Sequence, residues 1–383
     1  MPPPLPSSTS LNPFLSQKLR FWSFAAMVLL IYVHGYNLHP RQLDPWTIVQ
    51  EPLTAGNFLE YFLSNGLLRF RIPILFAISG YLFARADGRA PHRDRILKRL
   101  RTLGLPYLLW SAIWLGVVWA LEQAPLTRWA VVKAEISPFW PRQLLSELAP
   151  GELLTRWLLA PLPFQLWFLR NLLVLNLAYP LLRAAVTRGP RIYFPIVGLI
   201  WFLGLNLFVV GGEGLLFFGL GAWLALRGRD VQARPRWLRL PVAAVAWVGA
   251  GAALTWLAFH PGAVSRDGPD PHTLTMLALY RLSEAAGILT AWFGLDELMR
   301  RAMARPWFAW LTGFSFIIYV LHVPTVNYAT ELIFRFGRGV PHLALLTYLL
   351  LPLAIIGGAV LVGAALRRLV PEAYVVLTGG RGL

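Results

Sequence analysis

The sequence predicts an all-α integral membrane protein with about ten transmembrane helices, both termini in the cytoplasm and an internal polar cavity. Hydrophobic residues make up 57% of the 383 residues and charged residues only 14%, a composition typical of polytopic membrane proteins. Many uncharged stretches reach the length of about 20 residues that a helix needs to cross a bilayer. Basic residues cluster at alternate ends of these stretches, which fixes their orientation.

The predicted spans are stretches with no charged residue or very few. In chain order they are residues 21–38, 61–84, 103–121, 164–182, 192–210, 214–226, 240–259, 274–299, 307–334 and 343–365. The sixth is short. We keep it because its removal would place the later basic clusters on alternating sides of the membrane.

The basic residues lie mainly on one side of these spans. With the N-terminus in the cytoplasm, 23 of the 35 Lys and Arg residues are cytoplasmic. Eight lie outside, and four lie within spans, namely Arg69, Arg71, Arg170 and Arg281. This is the pattern of the positive-inside rule. It accounts for the net charge of +17 without a nucleic-acid partner.

Three segments follow from this pattern. Residues 1–16, rich in Pro and Ser, are predicted to be a disordered cytoplasmic tail. Residues 17–370 form one transmembrane domain, and residues 371–383 form a cytoplasmic C-terminal tail.

The chain has no cysteine, so thiolate catalysis and sulfur-ligated metals are excluded. We predict no metal site, because His34 and His322 lack a convincing third ligand.

Ionisable residues from five spans fall at one depth. A helix advances about 1.5 Å per residue, which places them roughly 18–23 Å from the cytoplasmic face. The set is His34, Arg69, Arg71, Arg170, Arg281, Glu284 and His322. Unpaired charges facing lipid would each cost several kcal/mol. We therefore expect these side chains to line a hydrated cavity.

Several roles for these residues remain open at this point. Arginines bind phosphate, carboxylate or thioester oxygens through a planar fork of donors. Their positive charge opposes a second positive charge on His34, so we expect the neutral imidazole that a general base needs. A membrane-buried histidine can equally well form a hydrogen bond between helices. Glu284 either orients a histidine or forms a salt bridge with Arg281 one turn away.

Several motifs, in their order along the chain, resemble those of the acyltransferase 3 family of membrane acyltransferases, and the likeness covers nearly the whole chain. They are His34 near the outer end of the first span, Arg69-Phe-Arg71 leading into residues 72–83, Pro106-Tyr107 after a basic segment, Leu-Trp-Phe-Leu-Arg-Asn at 166–171, and Ser-Phe-Ile-Ile-Tyr-Val-Leu-His at 315–322. Bacterial members of the family modify surface sugars and periplasmic glucans. The resemblance therefore implies a multi-pass O-acyltransferase of the bacterial inner membrane.

The resemblance also implies the substrates. The donor would be acyl-CoA, commonly acetyl-CoA, arriving from the cytoplasm, with no permanently bound cofactor. The acceptor would be a hydroxyl of a glycan or glycolipid on the outer side. On this interpretation His34 removes the acceptor proton or attacks the thioester, while Arg69 and Arg71 stabilise negative charge. Further candidates for substrate binding are Asn37, Trp167, Arg170, Asn171, Glu284, Tyr319 and His322.

One position departs from the family pattern. The family commonly has an arginine eleven residues before the first-span histidine and an acidic residue three before that arginine. Here Ser23 and Arg20 occupy these positions. Either Arg20 takes over a related role or the donor site is built differently, and both residues stay candidates for substrate binding.

Two other functions fit parts of the pattern. The main alternative is a transporter or flippase of an anionic lipid-linked sugar, which would need buried arginines but no base. The other is a different class of membrane acyltransferase that uses a late histidine, here His322.

Overall fold

The computed structural model describes residues 11–134, 144–207, 209–260 and 270–382. Within these residues the secondary structure is helical, apart from one two-stranded hairpin. Six helical segments of the described chain are long and apolar enough to cross a membrane: Pro13–His34, Ala55–Arg85, His92–Leu121, Leu240–Phe259, Pro306–Phe336 and Leu343–Leu369. They confirm an all-α membrane protein. The total of about ten spans and the side of each terminus remain predictions.

The elements follow one another with short connections. The first half contains α1 (Pro13–His34), α2 (Ala55–Tyr61), α3 (Arg71–Arg85), α4 (His92–Arg99), α5 (Leu105–Leu121), α6 (Pro125–Lys133), α7 (Pro150–Leu158), α8 (Trp167–Leu177) and α9 (Tyr179–Arg188). The second half contains α10 (Pro190–Phe202), β1 (Asn206–Leu207), β2 (Val210–Gly211), α11 (Gly212–Leu226), α12 (Leu240–Phe259), α13 (Pro271–Gly294), α14 (Asp296–Met303), α15 (Pro306–Leu311), α16 (Ser315–Phe336), α17 (Leu343–Leu369) and α18 (Pro371–Thr378).

Several predicted spans have the wrong boundaries. The first was predicted to reach residue 38, but α1 ends at His34. The fourth, residues 164–182, is divided at Ala178 into α8 and α9. The fifth was predicted to reach residue 210, but α10 ends at Phe202 because Gly204 adopts a left-handed conformation, with φ of 69°. The eighth ends at Gly294, and α14 follows. Gly and Pro interrupt helices that hydropathy alone shows as continuous.

The pair α10 and α11 is shorter than a bilayer. Their 13 and 15 residues correspond to roughly 20 and 22 Å of helix. The antiparallel hairpin of β1 and β2 joins them, with Asn206 opposite Gly211. Leu205, Asn206 and Leu207 are exposed. The hairpin thus forms a rim at the end of this helix pair.

The two ends of the described chain are helical. Helix α1 starts at Pro13, inside the predicted tail, and Asn12 caps it by accepting from the backbone N–H of Phe14 at 2.9 Å. The rest of that tail, residues 1–10, lies outside the described residues. At the other end α18 packs on α5, where the Trp110 indole donates to the carbonyl of Leu377 at 2.9 Å. The domain limits remain predictions.

Close contact between α3 and α11 fixes the centre of the fold. A Cβ added at Gly80 would lie 2.0 Å from the carbonyl oxygen of Phe218, and one added at Gly221 would lie 2.0 Å from that of Ala77. Small residues let membrane helices approach this closely. The contact holds the first residues of both helices in the same region, where Arg71 and Glu213 line one cavity.

We expect Gly80→Ala to destabilise the protein by about 1–3 kcal/mol, because the new methyl group can be accommodated only if a backbone moves. The measurement is the temperature at which the detergent-solubilised protein loses its monodisperse size-exclusion peak. Gly116→Ala in α5 is the matched control, since a Cβ there meets no atom within 4 Å. Equal stability of the two variants would contradict the close contact.

Candidate active site

A polar cavity of about 300 Å³ lies at the C-terminal end of α1, and we call it the central cavity. Its polar lining consists of His34, Arg41, Gln42, Arg69, Arg71, Gln165, Glu213, Tyr280, Tyr319 and Asn327. These residues come from α1, α3, α11, α13, α16 and the segments between them. The cavity therefore brings together the three residues predicted to be catalytic.

His34 is the last residue of α1 and is half-buried at the cavity wall. Its ring lies edge-on to Phe164, with the ring centroids 4.8 Å apart, and 5.4 Å from the ring of His322. Across the described parts of the chain, neither ring nitrogen has a hydrogen-bond partner. The position of His34 is set by ring contacts, so its nitrogens are available to a bound molecule.

A break in the helix turns Arg69 and Arg71 into the same cavity. In a continuous α-helix two residues that are two positions apart point roughly 200° apart. Here a π-helical segment, Phe62–Leu67, is followed by a 3₁₀ turn, Leu68–Phe70, before α3 begins. Irregular turns of this kind often mark functional sites. The break in the helix therefore brings both guanidinium groups to the lining of the central cavity.

The two arginines are held differently. Arg71 is buried and donates from Nη1 to the carbonyl of Leu68 at 2.7 Å, while its Nε has no partner in the described residues. Arg69 donates to the carbonyl of Leu43 at 3.3 Å and lies over the ring of Tyr280 at 5.7 Å. Both retain donors that a bound carbonyl or phosphate oxygen can accept.

A kink in α16 explains the position of His322. Val323 has non-helical dihedral angles, and Pro324 has no N–H, so carbonyls of the preceding turn lose their helical partners. Side-chain donors take the place of the missing backbone N–H partners. The Trp114 indole donates to the carbonyl of Val320 at 2.8 Å, and His322 Nδ1 donates to that of Tyr319 at 2.7 Å.

His322 is thus a buried side chain that caps a carbonyl and packs its ring against His34. Its Nε2 has no partner among the described residues, and it does not line the central cavity. Tyr319 does line that cavity, but its hydroxyl already donates to the carbonyl of Gln165 at 2.5 Å. The hydroxyl of Tyr319 is therefore already engaged at the cavity, and His322 contacts the cavity wall through the ring of His34.

The predicted layer of ionisable residues does not line one cavity, and two of its members, Glu284 and His322, line neither the central cavity nor a second one. Arg170, Asn171 and Arg281 do not reach the central cavity. They line a second one of about 410 Å³, which we call the side chamber, between α8, α13 and the hairpin. Trp167 and Glu213 line both cavities. The expectation of one shared cavity was wrong because depth along a helix does not determine the direction of a side chain.

Glu284 does not orient a histidine. It pairs with Arg281 at 2.8 Å and accepts from the Trp201 indole at 3.2 Å. Arg281 also donates to the carbonyl of Phe202 at 3.2 Å. The salt bridge within α13, the alternative left open by the sequence, is therefore the arrangement observed. It offsets the charge of Arg281 at the side chamber.

Five candidates for substrate binding line neither cavity: Glu284 and His322, described above, and Arg20, Ser23 and Asn37. Arg20 donates to the carbonyl of Ala309 at 2.7 Å, and the hydroxyl of Ser23 donates to its own helix at Leu19 at 2.8 Å. Asn37 donates through its backbone N–H to Glu60 at 2.6 Å and through its side chain to Ala344. The Arg20 and Asn37 contacts join separate segments, and the Ser23 contact lies within α1. Substrate binding by these three residues stays a prediction.

Comparison with known proteins identifies the family. The family model described as an acyltransferase domain, acyltransferase 3, matches residues 19–368, which is most of the chain. The chain belongs to the acyltransferase 3 family. It is therefore an acyltransferase embedded in a membrane.

One similar protein supports this membership of the acyltransferase 3 family. The chain is 30% identical over 327 residues to the succinoglycan biosynthesis protein ExoH of Rhizobium meliloti (strain 1021). The alignment covers 85% of this chain and 83% of that protein. No solved structure matches the chain.

Sequence analysis of this acyltransferase missed Glu213 and Gln165. Glu213 is the one charged residue between Ile192 and Leu226, a signal that was present but fell in a short connection between predicted spans. Gln165 donates to the carbonyl of Val323 at 3.0 Å and so binds the turn before α8 to the kink of α16. No spacing rule identifies such a contact.

In the described ranges, no group of three or more His, Asp or Glu residues is arranged to hold a metal ion.

Proposed function

We propose that this acyltransferase moves an acyl group, most simply acetyl, from acyl-CoA to a hydroxyl of an extracytoplasmic glycan or lipid-linked sugar. Membership of the acyltransferase 3 family supports group transfer. The relative from Rhizobium meliloti is named for the biosynthesis of a glycan, succinoglycan, which supports a sugar acceptor. We place the protein in the bacterial inner membrane for the same reasons.

One observation carries the proposal: His34, whose ring nitrogens are free to act, lies on the wall of the same cavity as Arg69 and Arg71. A neutral imidazole accepts the proton of the acceptor hydroxyl, and the oxygen attacks the thioester carbonyl. The guanidinium groups stabilise the oxyanion of the tetrahedral intermediate. Collapse of that intermediate breaks the carbon–sulfur bond, and the imidazolium returns its proton to the departing thiolate.

The size of the central cavity limits what it holds. A volume of about 300 Å³ is at the lower end of ligand pockets. It accommodates the thioester and the reacting hydroxyl together, while the nucleotide part of CoA stays outside. Transfer by attack of His34 itself on the thioester, through an acyl-imidazole, uses the same groups.

A thiol-release assay tests this function directly. The chain contains no cysteine, so an aromatic disulfide reagent detects only the CoA thiol released by transfer or hydrolysis. We expect purified protein in nanodiscs to release thiol from acetyl-CoA and to move radiolabelled acetyl to envelope glycan or glycolipid. Protein that binds acetyl-CoA but releases no thiol and transfers no label would favour the transporter.

A further inference from the structure

Glu213 lies where the central cavity and the side chamber meet. Among the described residues it is the one charged side chain that lines both cavities, and Trp167 is the other residue that the two cavities share. His34 lines the central cavity alone. A molecule that extends from the side chamber to His34 therefore passes the carboxyl group of Glu213 and the indole of Trp167.

Close packing on both sides fixes the backbone of Glu213. A Cβ added at Gly212 would lie 2.4 Å from the backbone nitrogen of Trp201 in α10. A Cβ added at Gly214 would lie 3.1 Å from the side chain of Val210 in β2. Because both neighbours are packed this tightly, the backbone cannot shift easily. The reach of Glu213 into the two cavities therefore depends on the length of its own side chain.

The carboxyl group of Glu213 does not cap its own helix. A glutamate in the first turn of a helix commonly accepts a hydrogen bond from a backbone N–H at the start of that helix. Glu152 of α7 does so, accepting from the N–H of Ala149 at 3.1 Å. Glu213 stands in the first turn of α11, yet it forms no hydrogen bond or ion pair with any residue that the structure describes. Its carboxyl group is available to a bound molecule.

Three arginines act on Glu213 through space, but each of them has another partner. Arg281 pairs with Glu284, while Arg71 and Arg69 donate to backbone carbonyls. None of the three donates a hydrogen bond to Glu213 in the described chain. A role for Glu213 in offsetting their charge is the alternative to ligand binding, and the two roles make different demands on the side chain.

We propose that Glu213 binds the acceptor through a hydrogen bond to a second hydroxyl of the molecule whose first hydroxyl reacts at His34. A carboxyl group accepts hydrogen bonds from hydroxyl groups, and a thioester has none to donate. The shared indole of Trp167 offers a flat apolar face beside it. This rests on the proposed function and deepens it, because Glu213 then selects acceptors with at least two hydroxyl groups over water and simple alcohols.

Three substitutions separate acceptor binding from charge offset. Glu213→Leu removes the hydrogen bond and should lower kcat/KM for the envelope glycan by about 10–100-fold, the loss expected for a hydrogen bond to a carboxyl group. Glu213→Gln keeps the length and a hydrogen-bonding oxygen without the charge, so it should recover most of this loss. Glu213→Asp keeps the charge but is one methylene shorter on a fixed backbone, so it should not. Recovery by Asp and not by Gln would show charge offset instead.

Hydrolysis of acetyl-CoA provides an internal control, because water has no second hydroxyl for Glu213 to bind. The three variants should hydrolyse acetyl-CoA at the wild-type rate and with the wild-type KM. Glu152→Leu removes a first-turn carboxyl group that lines neither cavity, and it should leave both hydrolysis and transfer unchanged. If Glu213→Leu changes KM for acetyl-CoA and leaves KM for the glycan unchanged, Glu213 acts on the donor and the inference is wrong.

A binding measurement separates failure of this inference from failure of the proposed function. Deacylated oligosaccharides released from the envelope glycan should give saturation-transfer NMR signals with the protein in nanodiscs, even in a His34→Ala variant. Adding Glu213→Leu should reduce these signals at least fivefold, and adding Glu213→Gln should not. If these signals depend on Glu213 but the wild-type protein releases no thiol from acetyl-CoA, the proposed function fails and the binding site stands. Absent signals, or equal signals with and without the carboxyl group, would overturn the inference.

Discussion

His34→Ala is expected to reduce acyl transfer by about 10²–10⁴-fold, the range that a positioned general base contributes. In the proposed mechanism its imidazole takes the acceptor proton while Arg69 and Arg71, which line the same cavity, stabilise the oxyanion. The side chain is half-buried and makes ring contacts only. Its removal should therefore leave the fold intact. The measurements are thiol release from acetyl-CoA and transfer of label, with size-exclusion behaviour as the check on folding.

Two histidines serve as controls. His39 follows α1 but pairs with Glu51 at 2.8 Å, and His39→Ala should retain full transfer. His322→Ala removes the cap on the carbonyl of Tyr319 and one contact of the His34 ring. We expect a smaller loss of transfer, together with a lower thermal stability. Full transfer by His34→Ala and none by folded His322→Ala would assign the protein to the class that uses the late histidine.

Sequence reasoning brought His34, Arg69 and Arg71 together because it rested on position along each helix. Basic clusters fixed the cytoplasmic end of each span, and the rise per residue then gave the depth of His34, Arg69 and Arg71. These three residues do line one cavity. The distance of a residue from the cytoplasmic end of its helix can be counted directly from the sequence.

The sequence does not show how each helix is rotated about its own axis, and so does not show which way its side chains point. Arg170 and Arg281 face the side chamber, because the packing of α8 and α13 against their neighbours, which the sequence does not show, sets the direction of each side chain. Hydropathy also could not show that α10 ends at Phe202, since apolar residues continue through the turn at Gly204.

The substitution Arg71→Met should lower kcat by about 10²–10³-fold with little change in KM for acetyl-CoA, the loss expected when one oxyanion donor is removed. Methionine replaces the aliphatic part of the arginine side chain and removes the guanidinium group, which keeps most of the apolar packing at a residue only 3% exposed. Charge that develops in the transition state affects kcat, whereas a contact already made to the bound substrate would affect KM. Steady-state thiol release at varied acetyl-CoA concentration separates the two parameters.

Two further variants distinguish a role of Arg71 in the transition state from a role in donor binding or in folding. Arg71→Lys keeps the positive charge but loses the planar fork and the reach to both an oxyanion and the carbonyl of Leu68, so it should recover only part of kcat. Arg85→Ala, at the opposite end of α3 beside Tyr81, should leave kcat unchanged. A rise in KM with unchanged kcat for Arg71→Met would assign Arg71 to donor binding. A fall in thermal stability with both parameters unchanged would give it a role in folding alone.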